Sequence, residues 1–419
     1  MGRCPERSCL IVVCSVDRLS LMRVLLLTDY GFLAGGAEVI VYSMRDVLRQ
    51  RGHDVKILTS SAGDANNRIF ADEVCFGSTS RWRTLLQCAN PLSACRLRSV
   101  LHKFRPDVVH VSLYLTQLSP LILRELLEIP TVYYAQWYRA ICPLGTRTLP
   151  DGKPCHHYQG NACYKQRCLP LRDHLPLTLQ RRLDHHWAPQ ALNQVIAISH
   201  AVAAELNLYG PPHLQAPIVM HPGTAVVEPR GEMDLQPNLI SAGRLVPEKG
   251  VDVLIHAFAL LSEKYPTALL RILGDGPARA SLEELAARLD VSDRVEFLGH
   301  CSHSETLKWI RNAWCVCVPS VWREPFGMIA LEAQMHGVAV VASEIGGLAE
   351  ILLDGKTGYY VGPGDVDSLA QKLDSLISNP VKSFVMGKAA HRSARDRFSL
   401  ERFVVDCEAV FGRLVSGCP

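Results

Sequence analysis

The chain has 419 residues, 48% of them hydrophobic and 20% charged, a balance that fits a folded protein with ample core and excludes a disordered chain. This length exceeds what a single core usually spans, so two domains of roughly 200 residues each are expected. The net charge of +3 hides an asymmetry: residues 1–210 carry 24 Lys and Arg against 16 Asp and Glu (+8), whereas residues 211–419 carry 20 against 25 (−5).

At the start, CLIVVC (9–14) is too short to span a bilayer and is followed by Asp17 and Arg18 with no small-residue cleavage site, so no secretory signal is expected. MRVLLLTDYG reads as a natural beginning at Met22, leaving residues 1–21 as an extension. From there, short β-rich runs alternate with helical text: RVLLLT (23–28), DVKILT (54–59), DVVHV (107–111), TVYYA (131–135) and QVIAIS (194–199). Nearly continuous apolar strands of this kind indicate βα units around a parallel sheet covered on both faces.

After the first strand, Gly35 and Gly36 lead into an amphipathic helix on which Val39, Ile40, Val47 and Leu48 share a face. A glycine loop feeding a helix N-terminus offers N–H groups to a phosphate, although a Gly-Gly connection is equally common and no full dinucleotide fingerprint is present. Cys142, Cys155, Cys163 and Cys168 then fall in one turn-rich segment. Their spacings match no zinc pattern closely, and a long loop with buried or free thiols is expected over a zinc site or a disulfide-pinned loop. The other cysteines are scattered through strand-like and helix-like text, which favours a reducing interior and a cytoplasmic location.

A Pro- and Gly-rich stretch, 211–237, marks the break between domains. The βα pattern restarts with NLISAG (238–243), ALLRILG (268–274), RVEFLG (294–299), CVCVPS (315–320) and VAVVAS (338–343). Open α/β sheets bind ligands outside the carboxyl ends of their strands. After NLISAG, Arg244 and Lys249 stand at that position, a planar fork and a compact charge suited to a diphosphate. GDGPAR has Arg279 where a third glycine would fall, which counts against a nicotinamide dehydrogenase.

After CVCVPS comes VWREPFGMIALE (321–332). Pro325 suits the first turn of a helix, which would make Glu324 its N-cap, leave the N–H groups of Phe326, Gly327, Met328 and Ile329 near the exposed end, and set Glu332 two turns further in. Asp365 and Asp367 spell a D-x-D motif, but they follow a Pro-Gly turn and precede a helix, so an N-cap is expected there and no metal ligand.

GGAE, GRLVPEKG, GDGP and above all PSVWREPFGMIALEAQMHGVAVVAS, followed by GGLAEIL and GKTGYYV, together resemble the retaining, nucleotide-sugar-dependent glycosyltransferases of family 4. The resemblance covers residues 22–415. It implies an α/β GT-B fold, with two Rossmann-like doubly wound domains facing across a cleft. The first would span 22–215, with 385–419 returning to it, and the second, nucleotide-sugar-binding domain 216–384. Arg244 and Lys249 would bind the donor diphosphate, Glu324 would lie at the transferred sugar, and Glu332 would accept hydrogen bonds from the ribose. N–H groups from Phe326 to Ile329 would hold sugar hydroxyls and phosphate, with Gly35 and Gly36 completing the phosphate side. Many relatives carry His-Asp where this chain has Gln136 and Trp137, so Gln136 would take the place of a histidine at the donor sugar.

The resemblance implies transfer of a hexose from a nucleoside-diphosphate sugar to a hydroxyl acceptor, a glycan or a lipid-linked one, with no cofactor and no metal. No nucleic-acid partner is expected. The basic first half makes an anionic membrane surface, and with it a peripheral place on the cytoplasmic face, or an acidic acceptor a candidate, although an ordinary solvated surface is expected ahead of either. Two other readings stay open: a catalytically silent nucleotide-sugar-binding subunit, motivated by Gln136, and a phosphorylase of the same two-domain type.

Overall fold

The computed structural model describes residues 21–32, 35–63, 69–80 and 83–417. Residues 1–20 of the expected extension lie outside them. The first half folds as β1 (Arg23–Tyr30), β2 (Asp54–Ser60), β3 (Glu73–Cys75), β4 (Val108–Val111), β5 (Thr131–Ala135), β6 (Gln194–Ala197) and β7 (Ile218–Val219). These strands form one parallel sheet in the order β3-β2-β1-β4-β5-β6-β7. The second half contributes β8 (Asn238–Ala242), β9 (Leu269–Leu273), β10 (Val295–Gly299), β11 (Cys315–Val318), β12 (Ala339–Ser343) and β13 (Gly358–Val361). They form a second parallel sheet, ordered β10-β9-β8-β11-β12-β13. Each is a doubly wound sheet, and the strand order reverses between β1 and β4 in the first and between β8 and β11 in the second. Those reversals are where the two crevices lie.

The sheet-covering helices of the first half are α1 (Gly36–Gln50), α2 (Arg83–Cys88), α3 (Pro91–Phe104), α4 (Asn161–Lys165), α5 (Leu171–Ala191) and α6 (His200–Tyr209). Those of the second are α7 (Val251–Ser262), α8 (Arg279–Arg288), α9 (His303–Asn312), α10 (Met328–Met335) and α11 (Val366–Ile377), followed by α12 (Pro380–Phe398) and α13 (Leu400–Ser416). The buried strand residues, such as Leu25–Leu27 in β1 and Cys315–Cys317 in β11, have no exposed face, as the unbroken apolar runs require. At the D-x-D motif, Asp365 caps α11 by accepting from the N–H of Ser368 at 2.9 Å, as expected of a helix start.

Two expected boundaries move. The break at 215/216 falls just before β7, which pairs with β6, so the first domain's sheet runs through Val219. The return to the first domain occurs at Ser399, not at 385. Helix α12 packs on α10 and β12, with its residue Gly387 so close to Gly337 O that a Cβ would stand 2.1 Å from it. The chain then crosses through a parallel bridge between Thr224 and Ser399, and α13 packs on α1 and β4. Ser399 accepts from the N–H of Arg402 to start α13 as a new helix. Apolar packing is continuous across this junction, with Phe326 against Phe398 at 5.7 Å between ring centroids.

Candidate functional site

Both glycine-bearing loops and both charged loops stand at the two sheet reversals. Gly250 takes a left-handed conformation (φ 62°), and a Cβ there would lie 2.1 Å from Pro319 O, so only glycine lets the loop after β8 press on the end of β11. That approach brings Lys249 Nζ to 2.5 Å from Glu324 Oε1, which also accepts from Ser320 Oγ at 2.7 Å. Lys249 Nζ lies 5.6 Å from the centre of the Trp322 ring. Glu324 is 6% exposed, whereas Arg244 is exposed and makes no ion pair among the described residues. A pocket lined by Ser241, Gly243, Arg244, Lys249, Ser320 and Ile329 joins these groups to the start of α10.

The expected Pro-initiated helix is corrected here. Helix α10 begins at Met328 with Gly327, not Glu324, at the N-cap. Residues 324–326 lie instead against a second glycine pair: the N–H of Gly347 donates to Glu324 O at 2.7 Å, and a Cβ on Gly347 would stand 2.2 Å from Pro325 O. Gly327 (φ 119°) then turns the chain into the helix, where a Cβ would stand 2.7 Å from Leu348. The side chain of Glu324 is thereby freed from capping and turned toward Lys249. Phe326 packs inward against His221 and Phe398, while Met328 and Ile329 form the first turn of α10.

Gly36, at the start of α1, faces Met328 from the other domain: a Cβ on it would lie 2.8 Å from Met328 Cγ. The N-termini of α1 and α10 thus oppose each other across the cleft, with exposed Gly35 at the N-cap of α1. Two positive helix ends with a lysine and an arginine beside them make an anion-binding arrangement. In the first turn of α1, Glu38 is buried, and burial, with Asp29 adding to it, pushes its carboxyl up to about 7. GGAE contains Glu38, but no local pattern marks its burial.

Glu332 is 5% exposed and pairs with His303 Nε2 at 2.8 Å through Oε1. Sequence reasoning did not single out His303, which stands in α9 outside every motif. Its hydrogen bond to Glu332 raises it above the ordinary imidazole range, against the effect of burial. A raised folded-state value means that the pair stabilises fully below the unfolded value and loses this contribution as pH rises through the folded value. His303→Gln is therefore expected to lower the melting temperature at about pH 5.5, below the ordinary histidine value of about 6.5, and to change it less at about pH 9. Melting curves of both proteins at the two pH values check this; an equal change at both would contradict it.

Gln136 follows β5, is 4% exposed, and has neither amide atom bonded within the protein. Buried amides are ordinarily satisfied, so an unpartnered one points to a ligand or water. Tyr138 meets Trp322 edge-on at 6.5 Å, which sets the loop after β5 beside the Lys249–Glu324 pair.

Contacts across the domains surround this site. Ser199 Oγ donates to Pro325 O at 2.6 Å. Glu350 accepts from the N–H groups of His200 and Ala201 at 2.9 Å each and pairs with His221 Nε2 at 2.7 Å. His200, His221 and Glu350 are the one set of three metal-ligating side chains among the described residues whose donor atoms lie within 4.8 Å of one another. With two N–H groups and an imidazole already on its carboxylate, Glu350 reads as a latch between α6 and the second domain. Buried Glu205 pairs with Arg147 at 2.8 Å and also with Arg323, next to Glu324.

A profile of Glycosyltransferase Family 4 matches residues 34–224, and one of Glycosyl transferases group 1 matches residues 228–393. The chain is 26% identical over 404 residues to glycogen synthase of Mycobacterium tuberculosis, covering 90% of this chain and 91% of that protein. It is 32% identical over 250 residues to D-inositol 3-phosphate glycosyltransferase of Streptomyces bingchenggensis, 54% of each chain. Among solved structures, sucrose-phosphate synthase from Thermosynechococcus elongatus superposes with a TM-score of 0.71 at 20% identity, covering 94% of this chain and 100% of that one. Anabaena HepE in complex with UDP-glucose gives a TM-score of 0.65 at 21% identity, over 94% and 100%.

Proposed function

Because the chain belongs to glycosyltransferase family 4 and has the GT-B fold, we propose that it moves a hexose from a nucleoside-diphosphate sugar to a hydroxyl acceptor, retaining the anomeric configuration and using no metal or cofactor. The observation that carries this reading is the cluster of Arg244, Lys249 and Glu324 beneath the N-terminus of α10, at the reversal of the second sheet. As the bond between sugar and diphosphate breaks, negative charge grows on the leaving phosphate. Lys249, held by Glu324, and the N–H groups at the start of α10 would meet that charge with donors already in place, and exposed Arg244 would close on it from the same pocket. Glu324 holds Lys249 in place and faces a sugar hydroxyl. The acceptor hydroxyl attacks from the side the phosphate leaves, and a leaving phosphate oxygen takes its proton.

Glu332 receives the ribose hydroxyls on Oε2, since His303 occupies Oε1. The unpartnered amide of Gln136 meets the donor sugar, and Gly35 and Gly36 bring the α1 N-terminus to the phosphates when the cleft is filled. The acceptor belongs to glycan, polysaccharide or glycolipid synthesis in the cytoplasm. No helix among the described residues is long and apolar enough to cross a membrane. Leu171, Leu175 and Leu179 nevertheless form an exposed row on α5 beside exposed Lys165, Arg167, Arg172 and Arg182, a surface suited to an anionic leaflet carrying a lipid-linked acceptor.

A ligand-stabilisation screen against UDP-, GDP- and ADP-sugars tests the donor assignment. One of them is expected to stabilise the protein by about 2.7 kcal/mol at roughly 100 times its dissociation constant, and Glu332→Ala to abolish the effect. No shift with any nucleotide sugar would remove the reading. A shift without turnover would favour the silent subunit suggested by Gln136.

A further inference from the structure

The cysteine-rich segment takes no part in the proposed transfer, yet the fold gathers it around one pocket. Gly145 N–H donates to Cys142 O, a hairpin closes with Thr148 bridged to Pro154, and Cys155 N–H donates to Arg147 O at 2.8 Å. After α4, Arg167 turns through the left-handed region and Cys168 N–H donates to Cys163 O at 2.9 Å. These reversals bring Cys142, Cys155, Cys163 and Cys168, all free thiols, to line the same pocket, with Cys168 within charge-interaction range of the other three.

We propose that Cys142, Cys155, Cys163 and Cys168 form a structural zinc site that pins this segment to the domain interface. Four thiols brought from three separate turns to one pocket are the ligand type of a closed tetrahedral site, and although the four spacings together match no zinc pattern, the single pair Cys163-x4-Cys168 has a spacing such sites use. No three of the sulfurs lie within 4.8 Å of one another, so binding would require the thiols to move inward around the pocket. Binding exchanges four thiol protons, released to solvent, for one divalent ion and needs no electron transfer. The two negative charges left on the centre meet cations already in place. Arg147 Nη1 lies 3.8 Å from Cys155 Sγ with its Nη2 buried and unpartnered, and Arg181 neighbours Cys163. Through Arg147, Glu205 and Arg323, the centre fixes the loop beside the cleft.

The test uses the full chain, freed of any affinity tag and purified with reductant but without chelator. About one zinc per chain is expected by mass spectrometry of the metal. It should be lost in Cys163→Ser/Cys168→Ser and kept in Cys95→Ser, which changes an exposed cysteine elsewhere. The wild-type chain, stripped of metal and titrated with cobalt, should show thiolate-to-metal charge transfer and tetrahedral visible bands, which keeps the test decisive should the double variant fail to fold. Three results would overturn the proposal: zinc that is absent or unmoved by the double change, cobalt bands without thiolate character, as an ion on His200, His221 and Glu350 would give, or a thiol count in denaturant two or four short of 15, revealing disulfides.

Discussion

Lys249→Ala is expected to lower turnover of the nucleotide-sugar donor by roughly 100- to 1,000-fold, the loss typical of removing one preorganised group that faces developing charge. The ammonium is held on one side by Glu324 and lies on the other along the pocket shared with Arg244, which leaves N–H donors to spare for the phosphate of the proposed donor. Its side chain is 31% exposed, and the fold loses little apolar burial with it. The deficit should therefore appear in kcat of the folded enzyme, the melting temperature should fall as well because buried Glu324 loses its cation, and Lys249→Arg should recover part of both losses. Arg244→Ala should act in the same direction, and the double variant should fall short of the product of the two losses, because both act on one diphosphate. Steady-state kinetics with saturating donor decides this, and undiminished rates in either single variant would remove that residue from the site.

Glu205→Ala is expected to cost about 3–5 kcal/mol of stability, because it leaves a buried charge without its partner. Glu205 is 3% exposed and Arg147 2%, and the pair spans α6 and the cysteine-rich segment. The same carboxylate holds Arg323 of the second domain, so the change loosens the junction next to Glu324 as well. By contrast, Glu401→Ala removes a partner of Arg51 that is 64% exposed, where losses of about 1 kcal/mol or less are usual. Urea unfolding of both variants separates the cases, provided the slope with denaturant stays the same. Equal, small losses would show that Arg147 finds another partner.

The reach of sequence reading differs from element to element for physical reasons. Parallel strands such as VVHV and CVCV are wholly buried and, His110 apart, apolar, and stood out in the text, whereas β3 (EVC), β7 (IV) and β13 (GYYV) are short edge strands that did not. The start of α10 was misread because a local rule, proline at the first helical position, was overridden by a distant contact: Gly346 and Gly347 take up the backbone of residues 324–326 and delay the helix to Met328. That shift matters chemically, since a capping Glu324 would not reach Lys249. Arg244, Lys249 and Glu324 were legible as candidates because strand ends mark crevices in this kind of sheet, whereas Glu332, inside α10, took its proposed role from the family resemblance. The pairing of Glu332 with His303, and of Arg323 with Glu205, joins residues 29 and 118 positions apart, and no local pattern records such pairs. The four cysteines were legible as a group, but their convergence needed the turns of the folded chain.

In the proposed reaction this cleft breaks the bond between sugar and diphosphate and passes the sugar on with its configuration kept. Proton NMR of the full chain with each UDP-, GDP- and ADP-hexose, in the presence of a chelator and a simple alcohol acceptor, follows that bond directly. One donor is expected to lose its anomeric signal while nucleoside diphosphate accumulates, and the first-formed glycoside is expected to show the donor's own anomeric coupling. A product of opposite configuration, or nucleotide sugars that bind and remain intact, would contradict the account.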